Sequence, residues 1–223
     1  MANEISIRVD DASFTYPDGH EVLKNISCSI RRGEKVALIG PNGAGKSTFM
    51  SLLNGVEIPS SGKVFIDSLE VSRENLTKVR RKVGIVFQDP DDQLFCPTVF
   101  DDVAFGPLNL GLAPEEIHAR VKEALGLVGL VGFEQRSSFH LSFGERKRLA
   151  LATVLSYQPE ILVFDEPSTN MDPLNRRRLI KWLQGSDKTI LLCTHDLDIA
   201  LEVCGRCLML VNGKLVADGP ANE

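Results

Sequence analysis

The most informative segment of the chain is Gly40-Pro41-Asn42-Gly43-Ala44-Gly45-Lys46-Ser47-Thr48. It fits the pattern G-x-x-x-x-G-K-[ST], in which backbone N–H groups surround nucleotide phosphates, the lysine reaches the β- and γ-phosphates, and the next hydroxyl binds Mg²⁺. The apolar run Lys35 to Ile39 before it is typical of a buried parallel strand. Residues Ser47 to Leu53 after it lack proline and glycine and can open a helix. Because a helix N-terminus attracts anions, the segment predicts a nucleoside triphosphate site.

A second segment supplies carboxylates. Four apolar residues, Ile161 to Phe164, run directly into Asp165 and Glu166. In open α/β folds the carboxyl ends of the strands form the edge at which ligands bind. We therefore expect Asp165 to hold Mg²⁺ through water and Glu166 to orient and polarise the attacking water. A strand followed by an acidic turn is the ordinary alternative, and the phosphate-binding pattern upstream favours the functional interpretation.

Composition limits the class of protein. The 223 residues, 25% charged and 43% hydrophobic, suit one α/β domain of ordinary globular character. A net charge of −5 argues against nucleic acid as a partner. No apolar run approaches the roughly 20 residues that span a bilayer, the first residues lack the basic and apolar regions of a signal peptide, and five scattered cysteines give no disulfide framework. We expect a cytoplasmic chain that reaches a membrane only by docking on an embedded protein.

The pattern along the chain divides it into a core and an insertion. Strand-like runs fill residues 1–88 and 159–223, and Asn212-Gly213 near the end predicts a hairpin turn. Residues 89–158 differ, since Pro114 to Leu127 and Ser142 to Leu155 have the character of helices, with Gly- and Pro-containing loops between them. We therefore expect a nucleotide-binding core interrupted by a helical subdomain.

Several short motifs occur in a fixed order around these two segments. In chain order they are Tyr16, Gln88, Leu141-Ser142-Phe143-Gly144-Glu145, Asp165-Glu166, Ser168 to Asp172, and His195. Together they make the chain resemble, over nearly its whole length, the nucleotide-binding subunits of ATP-binding-cassette (ABC) transporters. The fold implied is α/β: a P-loop NTPase core of ABC ATPase type, with an antiparallel β subdomain and an inserted helical subdomain.

The resemblance implies roles for individual residues. Tyr16 is expected to stack on the adenine of ATP, and His195 to contact the γ-phosphate. Gln88 is expected to touch Mg²⁺ and the attacking water and to sense a membrane partner. Ser168 and Asp172 are expected at a subunit interface. Lys46, Gln88, Glu166 and His195 then form the predicted catalytic set, and Ser47, Gln88 and Asp165 the predicted metal set.

The segment Leu141 to Glu145 resembles the family's signature motif with two changes, Phe143 for glycine and Glu145 for glutamine. The same residues form the pattern S-x-x-E, which predicts a helix capped by Ser142 and Glu145. A capped helix N-terminus is an anion site. The resemblance implies that Ser142, Gly144 and Glu145 offer this site to the γ-phosphate of ATP held by a second subunit.

Two further stretches of sequence indicate which group of ABC transporter ATPases the chain resembles. Phe87 to Phe95 and Asp101 to Pro107 are similar to the ATPases of energy-coupling-factor importers, especially the cobalt/nickel branch, while relatives in that group serve biotin and other vitamins. Leu94-Phe95 is an apolar pair within an acidic loop, and such a pair predicts a surface that docks on the membrane subunits. The alternative is that both side chains belong to the core.

The function predicted is an ATP-hydrolysing motor at the cytoplasmic face of the membrane, peripherally attached through integral-membrane subunits. Two subunits, identical or related, would enclose two ATP molecules and Mg²⁺. Two alternatives stay open at this point. One is a nucleic-acid-linked ATPase of the same superfamily, which the acidic charge disfavours. The other is a non-hydrolysing regulatory subunit, which Glu166 and His195 disfavour.

Overall fold

The structure, a computed structural model, describes residues 4–222. The start of the chain, where we expect no signal peptide, lies partly outside these residues. The strands are β1 (Ile5–Thr15), β2 (Glu21–Arg31), β3 (Lys35–Ile39), β4 (Ser61–Ile66), β5 (Leu69–Glu70), β6 (Val83–Val86), β7 (Ile161–Asp165), β8 (Thr189–Cys193), β9 (Arg206–Val211) and β10 (Lys214–Pro220). The α-helices are α1 (Lys46–Leu53), α2 (Leu76–Lys82), α3 (Val99–Asn109), α4 (Pro114–Val128), α5 (Phe143–Leu155), α6 (Pro173–Gly185) and α7 (Leu197–Val203).

The larger sheet has six strands in the order β10-β9-β3-β8-β7-β6. Strands β9, β3, β8, β7 and β6 run parallel, and β10 returns antiparallel to β9. β3, β7 and β8 are short and mostly apolar, and every residue of β7 and β8 is buried, as expected for central strands covered on both faces. Because these three strands are neighbours and parallel, the segments that follow them meet at one edge of the sheet.

A second, antiparallel sheet of four strands, β2-β1-β4-β5, packs against the first. The largest apolar cluster joins the two sheets through α1. Its side chains include Ile7, Val9, Leu23 and Ile26 from the small sheet, Val36, Leu38, Val163 and Leu191 from the large sheet, and Phe49, Leu52 and Leu53 from α1. Burying this cluster fixes the first turn of α1 against the end of β3, which is where the phosphate-binding segment lies.

Helices α3, α4 and α5 surround a separate apolar cluster. α3 was not predicted from the sequence. It begins because Thr98 accepts a hydrogen bond from the N–H of Asp101, and Pro107 is tolerated because it lies close to the helix end. Gly106 allows close packing here, since a Cβ would lie 2.7 Å from Tyr157 Cδ1. Among residues 4–222, no helix has the length and apolar character needed to cross a membrane.

The predicted fold class is confirmed: an α/β core, an antiparallel β subdomain and an inserted helical subdomain are all present. The division at residues 88 and 158 stays a prediction. The hairpin at Asn212-Gly213 is also present between β9 and β10. Both turn residues have positive φ, 49° and 78°, as a type I′ turn requires.

Candidate functional site

The phosphate-binding segment forms a loop from Gly40 to Gly45 that leads directly into α1. Two of its glycines are required by space. A Cβ at Gly40 would lie 2.1 Å from Leu210 O, and one at Gly45, whose φ is 105°, would lie 2.9 Å from a methyl carbon of Leu23. Any other residue would therefore force the loop away from the sheet.

The loop is supported from behind by the β9–β10 hairpin. The N–H of Gly213 donates to Ala44 O at 3.1 Å, and the N–H of Lys24 donates to Gly213 O at 2.8 Å. The turn thus joins the loop to strand β2. Among the described residues, no side chain caps the start of α1, so its first N–H groups face the loop's concave side with the partial positive charge of the helix terminus.

Lys46 opens α1 and is buried. Its Nζ donates to Gly40 O at 2.8 Å and to Pro41 O at 3.2 Å, so the ammonium lies over the loop. Tyr16 approaches from the small sheet. Its hydroxyl is 3.2 Å from Thr48 Oγ1, and its ring packs edge-on against Phe14 at 4.9 Å between centroids. The structure therefore brings Tyr16, Lys46 and Thr48 to one place.

A direct hydrogen bond joins the two predicted motifs. Ser47 Oγ donates to Asp165 Oδ2 at 2.9 Å. Asp165 ends β7 and is buried, and burial raises the pKa of its carboxyl group, opposed by the Ser47 hydrogen bond and by the Lys46 charge. A hydroxyl and a carboxylate side by side are ligands that Mg²⁺ accepts together with phosphate oxygens and water. Within residues 4–222, no cluster of three or more His, Cys, Asp or Glu side chains forms a metal site by itself.

Glu166 has an unusual backbone and a fully engaged carboxylate. Its φ is 46°, a left-handed conformation that is costly for a non-glycine residue and typical of functional sites. Thr194 Oγ1 donates to Oε2 at 3.0 Å, and His195 Nδ1 lies 2.8 Å from Oε1. Glu166 is buried and His195 is exposed. The structure thus brings together Glu166 and His195, and it adds Thr194, which the sequence did not single out.

Gln88 lies two residues beyond the end of β6, next to the strand that carries Asp165 and Glu166, and its side chain is exposed. A neighbouring residue fixes this segment. Gln93 Oε1 accepts from the N–H of Phe87 at 3.2 Å, and its Nε2 donates to Ala150 O and Thr153 Oγ1, both at 2.7 Å. Gln93 therefore ties the Gln88 segment to α5, a link that we did not predict.

The signature segment forms the capped helix start that the sequence indicates. Ser142 precedes α5, and both halves of the capping box are made: Ser142 Oγ accepts from the N–H of Glu145 at 3.3 Å, and Glu145 Oε2 accepts from the N–H of Ser142 at 2.8 Å. These hydrogen bonds lower the pKa of Glu145. Phe143 is an ordinary helical residue without positive φ, so the missing glycine does not disturb the backbone.

The remaining signature residue, Gly144, faces open space. A Cβ there would meet only Asn175 Nδ2, at 4.0 Å, so packing within the chain does not require glycine. Among the described residues, no hydrogen bond joins Ser142 or Glu145 to the phosphate loop.

The loop after Glu166 ends in a second capped helix. Asp172 accepts from the N–H groups of Leu174 and Asn175, both at 3.0 Å, and opens α6. Ser168 Oγ donates to Asp196 Oδ2 at 3.4 Å, and Arg176 donates to the same oxygen at 3.0 Å. Ser168 is therefore held at the start of α7, whereas Asp172 is exposed and caps α6.

Comparisons with known proteins agree with this arrangement. The profile of the ABC transporter family matches residues 23–169. A Streptomyces coelicolor protein, provisionally named as an ABC transporter ATP-binding protein, is 53% identical over 215 residues, 96% of this chain and 83% of that protein. The energy-coupling factor transporter ATP-binding protein EcfA of Methanothermobacter thermautotrophicus is 48% identical over 222 residues, 97% of this chain and 71% of that protein.

Solved structures are similar over almost the whole chain. The cbiO1 protein of Clostridium perfringens, part of the ABC transporter complex cbiONQ, has a TM-score of 0.87 and 37% identity, covering 99% of this chain and 90% of that one. The ATP-binding cassette MJ0796, solved as a dimer with ADP and Pi after hydrolysis, has a TM-score of 0.86 and 28% identity, covering 96% and 98%.

Fold and site together define a P-loop ATPase. The chain belongs to the ABC transporter family, whose ATP-binding domains hydrolyse ATP to drive transport.

Proposed function

We propose that this chain is the motor subunit of an energy-coupling-factor importer. Two relatives named EcfA, 48% and 45% identical over 97% of this chain, support the importer class. The hydrogen bond between Ser47 and Asp165 carries the catalytic part of the proposal, because it joins the phosphate loop to the acidic strand end as an ATPase requires.

The residues of the loop fit ATP and Mg²⁺. The glycines leave the backbone close to a ligand, Lys46 supplies the positive charge, and Ser47 and Asp165 supply oxygen ligands of the type that Mg²⁺ prefers. Mg²⁺ bound here would neutralise charge on the phosphates. Tyr16 lies beside the loop at Thr48, which supports its assignment to the adenine.

Glu166 is assigned as the residue that orients the attacking water. Its two oxygens are held by Thr194 and His195, so the carboxylate is oriented before substrate binds, and such preorganisation is what electrostatic catalysis needs. His195 is exposed and is assigned to the γ-phosphate. Gln88 is assigned to the water and to Mg²⁺ from the neighbouring strand end.

The complete site is proposed to need two subunits. The signature helix presents a capped N-terminus and an unobstructed Gly144 to the outside, and nothing within the described chain connects it to its own phosphate loop. Ser142, Gly144 and Glu145 would meet ATP held by a second copy or by a related subunit. The dimer described for MJ0796, at 28% identity, supports pairing of this kind.

The membrane-facing side is assigned to the segment between Gln88 and Gly106. A groove of about 660 Å³ lies there, lined among others by Arg80, Phe95 and Phe105. We propose that integral-membrane subunits dock in this groove and hold the chain at the cytoplasmic face. The cargo that we propose first is cobalt or nickel ion, because Phe87 to Phe95 and the signature motif resemble the cobalt/nickel branch of these importers. Biotin or another vitamin is the second proposal.

The first experiment uses Glu166→Gln, which keeps the shape of the side chain and removes its charge. We expect ATP to stay bound, hydrolysis to fall at least about 100-fold, and a dimer to appear in size-exclusion chromatography with ATP and not with ADP. Adding Ser142→Arg should abolish the dimer, while Gln135→Arg, at an exposed position of the same subdomain, should not.

Two results would count against the proposal. Hydrolysis at the parent rate in Glu166→Gln would show that another group orients the water. A variant that binds ATP, does not hydrolyse it and stays monomeric at every ATP concentration would exclude self-pairing and direct the search to a related subunit. Uptake assays with labelled cobalt, nickel and biotin in cells that express the whole transporter would then identify the cargo.

A further inference from the structure

Lys147 lies in the second turn of α5 and is only 6% exposed. Its Nζ donates to Thr169 O at 2.5 Å and makes longer contacts of 3.4 Å with Glu166 O and 3.5 Å with Pro167 O. A buried ammonium group needs partners for its three N–H donors, and here all three partners are backbone carbonyls of one loop. Burial lowers the pKa of Lys147, opposed by the charges of Asp89 and Glu166.

The loop that Lys147 holds is the one that carries the proposed catalytic carboxylate. Glu166 has a positive φ of 46°, a conformation that persists only where its surroundings enforce it. On one side the N–H of Glu166 donates to Cys193 O at 2.8 Å, which ties the residue to β8. On the other side its carbonyl faces Lys147. The direction in which the Glu166 side chain points therefore depends on both partners.

The signature segment begins the same helix, one turn before Lys147. Lys147 follows Ser142 by five residues on one continuous helix of 13 residues. A cavity of about 450 Å³ separates α5 from the core beside Lys147 and is lined by apolar side chains such as Leu151, Phe164 and Trp182. The boundary between α5 and the core is incompletely packed, and the Lys147 ammonium forms a polar link across it. A displacement of α5 would therefore change the contacts of Lys147 with the loop that carries Glu166.

We propose that Lys147 is a positioning residue that couples the placement of the signature helix to the orientation of Glu166 in the same subunit. This inference rests on the roles proposed for Glu166 and for the signature segment. In a two-ATP sandwich, each signature helix meets the nucleotide of the other subunit. Lys147 then makes hydrolysis at one site depend on ATP at the other, which is a coupling between two binding sites.

The test compares three substitutions that separate hydrogen bonding from packing. Lys147→Met keeps the length and removes the donors, Lys147→Arg keeps the length and the donors, and Lys147→Gln keeps an amide donor on a shorter side chain that does not reach the loop carbonyls. We expect Lys147→Met to lower kcat by about 10- to 100-fold, the size expected for a misplaced catalytic group. Equilibrium ATP affinity should stay within about threefold because the phosphate loop is untouched. Lys147→Arg should recover most of kcat, and the Hill coefficient for ATP should fall in Lys147→Met.

Lys122→Met is the matched control, since Lys122 is an exposed lysine on α4 of the same subdomain, and it should behave as the parent. A Lys147→Met protein with parental kcat and Hill coefficient would overturn the proposal, as would equal losses in the Met, Arg and Gln variants. If Lys147→Met does not fold, Lys147→Gln is compared with the parent. We expect a lower kcat at unchanged ATP affinity, and a parental kcat would contradict the proposal. Glu166→Gln, measured in parallel, tests the proposed role of Glu166 separately.

Discussion

Charged and hydrogen-bonding side chains lie together at the carboxyl edge of the large sheet, namely those of Lys46, Ser47 and Asp165. Two elements position them: the first turn of α1 holds Lys46 and Ser47, and the end of β7 holds Asp165. The 2.9 Å hydrogen bond between Ser47 and Asp165 joins these elements. Asp165 is buried beside Glu166 and near Lys46, so the site holds two negative carboxylates and one positive ammonium group. The excess negative charge favours a cation that is also bound to phosphate.

Lys46→Ala tests the phosphate loop itself. Removing the ammonium deletes charge-assisted hydrogen bonds to phosphate, and we expect ATP affinity to fall by about 10- to 100-fold, together with loss of hydrolysis. A fluorescent-nucleotide titration measures the affinity. Lys214→Ala is the control, because Lys214 is exposed and lies on the hairpin that supports the loop. Unchanged affinity in Lys46→Ala would mean that the loop is a structural turn.

The sequence predicted the residues of the loop well because strand, glycine pattern and helix start are all local. Thr194 was not predicted, because its contact with Glu166 arises from the pairing of β7 with β8, in which Asp165 lies opposite Cys193. Lys147 was missed for a similar reason. In the sequence it belongs to the basic run Arg146-Lys147-Arg148, typical of a solvated helix face, and only packing of α5 on the Glu166 loop buries it.

Among the elements, α3 and the loop before it shape the proposed docking groove. Leu94 and Phe95 were predicted as one exposed apolar pair, and the structure separates them. Leu94, 5% exposed, belongs to the core of the helical subdomain, whereas Phe95 is 61% exposed. Phe95 packs edge-on against Phe105 at 5.0 Å between centroids. The buried carboxylate of Asp102 accepts from the N–H groups of Phe95 and Cys96 at 3.0 and 2.9 Å, which fixes the loop.

The two neighbours therefore give opposite predictions. Phe95→Ser should abolish co-purification with co-expressed membrane subunits while leaving ATP binding and thermal stability close to the parent. Leu94→Ser should lower the free energy of unfolding by about 2–4 kcal/mol, because it leaves a cavity and buries a hydroxyl in the helical core. Pull-down in detergent and urea unfolding measure the two effects. Full co-purification of Phe95→Ser would contradict the docking assignment.

Element prediction succeeded where apolar periodicity was strong and failed at helix starts. β3 agrees with the structure at both ends, and α4 and α5 within one residue. No helix was predicted at α6, although Asp172 before Pro173 is a typical helix start. No helix was predicted at α3 either, although Thr98 caps its start; Gly106 and Pro107 lie within it, and Gly106 packs closely on Tyr157.

At the scale of the whole molecule, a network of four charges joins the two sheets on the side of the amino ends of the parallel strands. Arg32, between β2 and β3, contacts Asp67 of the small sheet at 3.0 Å and Glu160, just before β7, at 2.5 Å. Lys82, at the end of α2, contacts the same carboxylates at 2.5 and 2.9 Å. Each of these charges has at least two partners of opposite sign, and Arg32 also contacts Glu4 at 3.2 Å, so the network holds the antiparallel subdomain on the core away from the ATP site.

The network predicts a stability that depends on pH. Hydrogen bonds and charge from Lys82 and Arg32 hold the pKa of Glu160 below its usual value. A carboxyl group whose pKa is lower in the folded state stabilises the fold above its unfolded pKa, about 4.3 for Glu, and the contribution is lost as pH falls through the folded pKa. Glu160→Gln should therefore reduce the free energy of unfolding at pH 7 and make little difference in acid.

We expect a loss of only about 1 kcal/mol at pH 7, because the Glu160 side chain is 42% exposed and solvent screens the pairs. Urea unfolding at pH 7, 5 and 3.5 measures it, and 1 M NaCl should shrink the difference at pH 7. Glu74→Gln, at an exposed position, should show neither effect.

ATP hydrolysis at pH 7 should stay at the parent rate in Glu160→Gln, since the network lies at the opposite edge from the phosphate loop. A deficit that is constant between pH 7 and 3.5, or that grows in acid, would show that Glu160 stabilises the fold by packing and not by its charge.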